Sequence, residues 1–139
     1  MKIEYCYNLA MRKSTRLITQ FYEERLATVD LKVGQFSILR AVNYRKKTTN
    51  KELQSILVLD QTTLSRAIKP LIRDGLLSIT VDENDLRSKI ISLSAKGKST
   101  YQKALPLWQD AQQSLQDKLG SKQINLILDL SESFVEKLA

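Results

Sequence analysis

The segment at residues 49–94 constrains the fold most, because its pattern predicts two short helices, a tight turn between them and a β-hairpin. Thr49 and Glu52 have the spacing of a capping box, in which each side chain bonds the backbone amide of the other, so a helix is expected to begin there. Asp60 is a suitable N-cap for the second helix, and Gly75 is suited to end it. A helix-turn-helix followed by a hairpin is therefore predicted.

The two faces of the second predicted helix differ in polarity. Its apolar residues recur at helical spacing and are expected to face the core: Leu64, Ala67, Ile68, Leu71 and Ile72. The first helix has a shorter apolar face of Leu53, Ile56 and Leu57. The opposite face of the second helix carries hydroxyls and cations, namely Thr62, Arg66, Lys69 and Arg73. A solvated surface explains any one of these residues, whereas the whole face suits insertion into a DNA major groove.

The predicted hairpin changes the balance between these two interpretations. Its strands alternate apolar and polar residues, with Leu77, Ile79 and Val81 on the first strand and Ile91 and Leu93 on the second. The expected tip, residues 82–89, is polar and carries its cations on the descending side. A hairpin directly after a helix-turn-helix is the wing of a winged helix, and it can place a guanidinium in a narrow minor groove.

These segments resemble the MarR family of transcriptional regulators. The resemblance rests on DQTTLSR at residues 60–66, DLRSK at 85–89, ISLSAKG at 91–97 and LKVGQFSIL at 31–39, and it covers nearly the whole chain in order. It implies a mainly α-helical winged-helix fold with a small hairpin wing. It also implies a homodimer that binds double-stranded DNA and acts as a repressor, released by a small aromatic or phenolic effector.

On this interpretation, the DNA-contacting side chains lie on the second helix and on the wing. Five of them are expected to meet base edges and phosphates in the major groove of a pseudo-palindromic operator: Gln61, Thr62, Thr63, Ser65 and Arg66. Lys69 is expected on a phosphate, Arg87 in the minor groove and Lys89 on the backbone. Asp85 is expected to order the wing, because its charge would oppose a phosphate.

The length of 139 residues suits a single domain, and the charge is unevenly distributed along it. Residues 1–45 carry eight cations and four anions, residues 46–98 carry ten and six, and residues 99–139 carry four and five. The basic excess therefore lies outside the tail, as expected for a DNA-facing body and a partner-facing tail. We expect the DNA-binding lobe at about residues 31–98 and dimerisation helices at about 1–30 and 99–139.

Long helices are predicted on both sides of this lobe. The first spans about residues 4–27, with a stripe of Tyr7, Ala10, Ser14, Leu17 and Phe21. Ser94 is expected to cap a helix that Gly120 ends, and Ser121 is expected to cap the last one. Their apolar faces comprise Leu105, Trp108, Ala111, Leu115 and Leu119, and then Ile124, Ile127, Leu128, Phe134, Val135 and Leu138. Such faces need a covering surface, and an identical chain is favoured over the chain's own core.

Two prolines fall inside predicted helices. Pro106 is expected to bend the long helix, since proline removes one amide and clashes with the carbonyl four residues back. Pro70 lies inside the second helix of the helix-turn-helix. A kink tolerated by packing is favoured there, and the alternative is a functional bend just past residues 61–69.

Cys6, the single cysteine, is predicted near the start of the first helix, where the helix dipole favours a thiolate. One branch of the MarR family senses organic hydroperoxides with an N-terminal cysteine assisted by tyrosines, and Tyr5, Tyr7 and Tyr22 are candidates. However, Cys6 falls about two residues early for that branch, and Ala10 stands where a tyrosine is expected. Cys6 is therefore either a peroxide sensor or a small buried hydrophobe.

The composition argues against several other classes of protein. Without histidine and with one cysteine, the usual nucleophile–base pairs and zinc sites cannot be built, so no enzyme, cofactor or metal is expected. The chain shows neither an apolar run of roughly 18 residues nor a signal-peptide region, so we expect a cytoplasmic protein. Two rival functions are a winged-helix module that docks an acidic protein and RNA binding. RNA binding is disfavoured because no aromatic set interleaves with the basic residues.

Overall fold

The computed structural model describes residues 5–139. Its helices are α1 (Tyr7–Leu26), α2 (Val33–Arg45), α3 (Asn50–Leu57), α4 (Gln61–Arg73) and α5 (Ala95–Leu138), and a 3-10 turn at Ala27–Val29 follows α1. The strands β1 (Leu77–Asp82) and β2 (Asp85–Leu93) form one antiparallel sheet. This order of elements confirms the predicted winged-helix fold. None of the described helices is long and apolar enough to cross a membrane.

The helices α3 and α4 begin at the predicted caps. The Thr49 hydroxyl accepts a hydrogen bond from the Glu52 amide at 3.2 Å, and the Asp60 carboxylate accepts one from the Thr63 amide at 2.7 Å. Between the two helices Val58 adopts a left-handed conformation, with φ at 53°, which turns the chain sharply. The helix-turn-helix is therefore fixed by two side-chain caps and one unusual backbone conformation.

The reciprocal half of the predicted capping box is replaced by another arrangement. The Glu52 carboxylate accepts hydrogen bonds from the Thr48 hydroxyl at 2.9 Å and from Arg45 Nε at 3.2 Å. Thr48 is buried, so its hydroxyl needs a partner, and the nearby carboxylate supplies it. Glu52 thus ties the start of α3 to the end of α2.

The core lies where α2, α3, α4, the base of the hairpin and the start of α5 meet. Its fully buried apolar side chains include Leu26, Phe36, Leu39, Val42, Leu53, Leu64 and Leu71. The sequence prediction is wrong at Ile72 and Ile56, which are 43% and 48% exposed. Ile72 follows the buried Leu71 and is turned about 100° away from it around the helix. Ile56 borders a cavity instead of the core.

The turn at the tip of the wing is shorter than predicted. Its register pairs Ile79 with Ile91 and Asp82 with Asp85, so only residues 83 and 84 form the turn. Arg87 and Lys89 consequently belong to β2 and not to a loop. Val81 lies near the end of the hairpin, beyond the core, and is exposed where a half-buried residue was predicted.

The start of α5 packs closely against the end of α4, through contacts made by Ser94 and Gly97. Ser94 accepts a hydrogen bond from the Gly97 amide at 2.9 Å and donates one to the Gly75 carbonyl at 2.5 Å. A Cβ on Gly97 would lie 2.0 Å from the carbonyl oxygen of Leu76, so no larger residue fits there without movement. This junction fixes the direction in which α5 leaves the lobe.

Helix α5 consists of two arms, residues 95–119 and 121–138, separated at Gly120 as predicted. Gly120 has φ 82° and ψ 158°, a pair of dihedral angles that lies outside the helical region. The backbone keeps helical dihedral angles at Pro106, and α4 likewise continues through Pro70, so neither proline ends its helix. The bend expected at Pro106 stays a prediction, and the residue of α5 with non-helical dihedral angles is Gly120.

Helix α1 packs against the first arm of α5. Arg25 Nε lies 2.6 Å from an Asp110 carboxylate oxygen, and the Tyr22 hydroxyl donates to the side-chain oxygen of Gln112. The predicted start of α1 at Glu4 lies outside the described residues. In the second arm of α5 no side chain is buried, and its exposed apolar residues are Leu126, Ile127, Leu128, Leu130, Phe134, Val135 and Leu138.

Candidate nucleic-acid interface

One face of α4 carries most of the side chains predicted to contact DNA. Five of them are exposed: Gln61, Thr62, Thr63, Arg66 and Lys69. The other face is anchored by the buried Leu64, Ile68 and Leu71, so α4 is held against the core while its polar face stays open. Ser65 lies at the edge between the two faces and is half-buried.

The N-terminus of α4 is held by the charge of Asp60. The hydrogen bond from the Thr63 amide, with help from the Thr63 hydroxyl, holds the pKa of the Asp60 carboxyl below its usual range. The carboxylate therefore remains ionised at neutral pH and caps the first turn, where the helix dipole also favours a negative charge. This cap orders the turn from which Gln61, Thr62 and Thr63 project.

A groove of about 490 Å³ lies between the starts of α3 and α4 and strand β2. It brings together three residues that the sequence analysis selected, Gln61, Arg87 and Lys89. Asp85 also lines it and accepts a hydrogen bond from the Arg87 amide at 3.1 Å, an arrangement that orders the wing. The groove thus joins the start of α4 to the wing on one continuous surface.

The same groove contains two residues that the sequence analysis missed, Asn50 and Lys51 in the first turn of α3. Both are exposed and follow the Thr49 cap, a position where backbone amides and a cation point outwards together. The capping motif located this turn, but only the fold shows that it faces the wing. Lys51, Arg87 and Lys89 give the groove three cations against the one carboxylate of Asp85, which suits a phosphate backbone.

A separate cavity of about 620 Å³ is bordered by α2, α3 and the first arm of α5. Its walls are aromatic: Phe36 stacks on Tyr101 and on Trp108, with ring centroids 5.5 and 5.7 Å apart. The Arg40 guanidinium lies 4.7 Å from the centroid of Trp108 and supplies a cation at the rim. Ile56, exposed against prediction, lines this cavity from α3.

Tyr22 and Cys6 occupy opposite ends of α1. Cys6 is exposed and caps the helix, with its sulfur accepting from the Leu9 amide at 3.5 Å. Tyr22 is half-buried, and burial raises the pKa of its hydroxyl, although the positive charge of Arg40 opposes that shift. Tyr22 follows Cys6 by 16 positions along the helix, a span of roughly 24 Å. Within one chain this tyrosine therefore cannot assist the thiol.

A helix-turn-helix with an open polar face, flanked by a cationic wing groove, defines a winged-helix fold of the kind that DNA-binding proteins use. Residues 31–89 match the model of the MarR family. This match agrees with the resemblance to MarR-family transcriptional regulators that the motifs of the chain predicted.

Curated relatives agree with this assignment. An HTH-type transcriptional regulator of Bacillus cereus is 29% identical over 98 residues, which are 70% of this chain and 65% of the relative. The match thus spans slightly less than two thirds of that relative's length. The organic hydroperoxide resistance transcriptional regulator of Bacillus subtilis is 28% identical over 107 residues, covering 77% of this chain and 73% of that protein.

Solved structures share the fold over nearly the whole chain. The transcriptional regulator MOSR of M. tuberculosis, determined in complex with DNA, is 29% identical with a TM-score of 0.82, covering 96% of this chain and 99% of that one. The MarR protein of E. coli, complexed with operator DNA, has the same TM-score of 0.82 at 21% identity and 91% coverage of both chains. These proteins are regulators, in agreement with the expectation of a non-enzymatic function.

Proposed function

We propose that this chain is a homodimeric repressor that binds a pseudo-palindromic operator in double-stranded DNA in the cytoplasm. The observation that carries the proposal is the continuous surface formed by the exposed face of α4 and the cationic wing groove. Helix α4 supplies amide, hydroxyl and guanidinium groups of the kind that bond base edges, and the groove supplies cations for phosphates.

The proposed contacts divide into sequence recognition and backbone binding. Arg66 lies centrally on the exposed face of α4 and bonds a guanine edge, with Gln61, Thr62, Thr63 and Ser65 beside it on bases or phosphates. Lys69, one turn further along, contacts a phosphate. On the wing Arg87 enters the minor groove and Lys89 contacts the backbone.

The proposed dimer surface consists of α1 and the second arm of α5, which lie within the segments assigned to dimerisation at about residues 1–30 and 99–139. Seven large apolar side chains of this arm are exposed, which marks an interaction surface. A cavity of about 320 Å³ adjoins them, lined by residues that include Ile18, Leu115, Leu119 and Ile124. A second copy would cover this surface and present two recognition helices, from the lobes at about residues 31–98, to two half-sites.

The cavity between α2, α3 and α5 is the proposed effector site. Stacked Phe36, Tyr101 and Trp108 suit a flat aromatic ring, and Arg40 suits a phenolate or carboxylate on that ring. Because Ile56 of α3 forms part of the wall, a bound ligand contacts the helix-turn-helix directly. Release from DNA then requires only that the ligand binds the non-operator arrangement more tightly.

A competition shift assay tests the DNA-binding part. The full chain is mixed with labelled duplex from its own upstream region and challenged with unlabelled upstream duplex, random duplex or structured RNA. We expect the upstream duplex to compete at least about 1,000-fold better than random duplex, the lower end for specific DNA binders. Equal competition by all three nucleic acids would favour the rival function as a protein-interaction module.

The single tryptophan makes the effector site testable by fluorescence. We expect benzoate to change Trp108 emission and to weaken operator binding, whereas phenol, which is neutral at pH 7, should bind more weakly. Arg40→Gln should reduce the preference for benzoate by removing the cation. Equal titration curves for wild type and Arg40→Gln would remove the guanidinium from the effector site.

A second candidate function is thiol-based peroxide sensing by Cys6. It is favoured by the exposure of the thiol and by the similarity to the Bacillus subtilis regulator of organic hydroperoxide resistance. Cys6→Ser should leave DNA affinity unchanged in the absence of oxidant. If the thiol is a sensor, cumene hydroperoxide will release wild-type protein from the operator and leave Cys6→Ser bound. Equal behaviour of the two proteins would remove Cys6 from the functional residues.

A further inference from the structure

A third cavity, of about 670 Å³, lies between the C-terminal end of α2, the root of β2 and the first turns of α5. It adjoins the proposed effector cavity, because Asn43 and Tyr101 line both. We refer to it as the lysine cavity, since Lys46, Lys47 and Lys98 line it. It belongs neither to the DNA-facing groove nor to the effector site.

The charged side chains that line the lysine cavity are all positive. Lys46 and Lys47 come from the end of α2 and Lys98 from the start of α5, and all three are exposed. No carboxylate stands among the residues that line this cavity within the described chain. Three cations around one cavity repel each other when it is empty, so the arrangement favours a bound anion.

The backbone at Lys46 adopts a conformation that is rare for a residue with a side chain. Its φ is 68° and its ψ is −55°, and the Lys47 amide donates to the Arg45 carbonyl at 2.8 Å. This is a γ-turn of the strained kind. Such strain persists where the surroundings demand it and is concentrated at ligand-binding segments. Here it brings two consecutive lysines to one cavity.

The remaining walls are of two kinds. Leu93 and Tyr101, each with a small exposed part, and the half-buried Leu105 supply apolar surface to the cavity. Ser92 and Gln102 add polar side chains that can donate hydrogen bonds to an anion. A ligand that fits must therefore combine a highly charged head with an apolar body.

We propose that the lysine cavity binds a phosphate-bearing small molecule with an apolar body. A phosphate monoester has close to two negative charges at neutral pH and three acceptor oxygens, which match three ammonium groups better than a single carboxylate does. The apolar body lies against Leu93, Tyr101 and Leu105. The proposal concerns a site separate from the aromatic cavity that Arg40 borders.

The position of the site gives such a ligand a means to influence the wing. Ser92 and Leu93 are the last residues of β2, and Thr48, next to Lys47, exchanges two backbone hydrogen bonds with Ile91 at 3.0 and 2.8 Å. A ligand that joins Lys47 to Lys98 therefore links the wing root to α5. Tyr101, shared with the effector cavity, provides a direct contact between the two sites.

Calorimetric titration of the full chain with 1-naphthyl phosphate and octyl phosphate tests the proposal. We expect at least one of them to bind with a dissociation constant below about 1 mM, and inorganic phosphate and 1-naphthol to bind at least about tenfold more weakly. Lys98→Gln and Lys47→Gln should each weaken binding by about tenfold through loss of one charge-assisted hydrogen bond. Lys103→Gln, an exposed lysine on α5 outside the cavity, is the matched control and should bind as wild type does.

Two further results decide between sites. Arg40→Gln should leave the affinity for the phosphate probes unchanged. If this variant no longer binds the probes, they occupy the aromatic cavity, and the proposal is overturned. Absence of binding by both probes, or equal affinity of wild type and Lys98→Gln, would also overturn it. If the two lysine variants bind probes normally but lower the salt dependence of DNA binding, the lysines belong to the DNA interface instead.

Discussion

The winged lobe and the second arm of α5 use similar apolar patterns for different purposes. In the lobe, Leu53, Leu64 and Leu71 are at most 1% exposed, and they join α3 and α4 to the rest of the core. In the arm, Leu128 and Val135 are 56% and 47% exposed although they also repeat at helical spacing. The lobe completes its core within one chain, whereas the arm has an apolar face that this chain does not cover.

Because of this difference, the folding stability of one chain and the stability of its association with a second surface depend on different regions. Burial of apolar surface within the lobe contributes to the folding of one chain, and burial of the arm contributes only when a second surface is present. The side chains proposed to contact DNA stand on the first region, and the proposed pairing of two such sets depends on the second. The two regions can therefore be changed one at a time.

Truncation after Lys118 should have the largest effect. It removes the whole second arm, which carries the exposed apolar part of the proposed dimer surface, so we expect monomers or aggregates in sedimentation and loss of tight operator binding. Glu132→Ala, an exposed polar change on the same arm, is the control and should remain dimeric. A truncated protein that stays dimeric with wild-type operator affinity would show that the arm is not the dimer surface.

Leucine-to-alanine changes in the two regions should alter different quantities, the free energy of unfolding in the lobe and the dimer dissociation constant in the arm. Leu53→Ala opens a cavity in the core and should lower the free energy of unfolding by about 2–5 kcal/mol, without changing the dimer dissociation constant. Leu130→Ala, at a residue that is 47% exposed, should raise that dissociation constant and scarcely alter the stability of the folded chain. Urea unfolding and sedimentation over a dilution series measure the two quantities. A large loss of stability in Leu130→Ala at every concentration would mean that the arm packs within its own chain.

The cap of α4 should add a smaller, pH-dependent contribution. Since the folded-state pKa of Asp60 lies below its unfolded value, its stabilising effect is complete above the unfolded pKa and is lost as the pH falls through the folded pKa. Urea unfolding between pH 7 and pH 2 should therefore show a steeper acid loss for wild type than for Asp60→Asn, which keeps a neutral cap. Parallel pH profiles would show that the charge of Asp60 contributes nothing to the stability of this turn.

Local signals were sufficient for most of the fold. Thr49, Asp60, Ser94 and Gly120 each mark a helix boundary by chemistry that acts within a few residues, and the structure has boundaries at all four. At Pro106 the dihedral angles stay helical, so this proline does not divide α5, and the boundary between its two arms lies at Gly120. The predicted burial of Ile72 was wrong because the spacing of apolar residues shows the direction of the buried face of a helix but not how wide that face is.

The candidate site was less accessible to sequence analysis. The polar face of α4 follows from spacing alone, but the inclusion of Asn50 and Lys51 in the groove depends on how α3 meets the wing. The lysine cavity is similar, since Lys98 lies 51 positions after Lys47, and long-range contacts such as the pairing of Thr48 with Ile91 bring these segments together. Long-range contacts of this kind leave no local pattern in the sequence.

The central claim, that α4 recognises sequence while neighbouring cations hold the backbone, is tested most directly by measuring operator and random-duplex affinities of Arg66→Ala and Lys69→Ala over a range of salt concentrations. Arg66→Ala should lose about 1–3 kcal/mol of discrimination, so operator binding weakens far more than random binding. Lys69→Ala should weaken both by similar factors and lower the salt slope by about one unit. Arg87→Ala should lie between them, and all three should unfold at the wild-type temperature because their side chains are exposed. Equal losses on operator and random DNA for Arg66→Ala and Lys69→Ala would contradict the account.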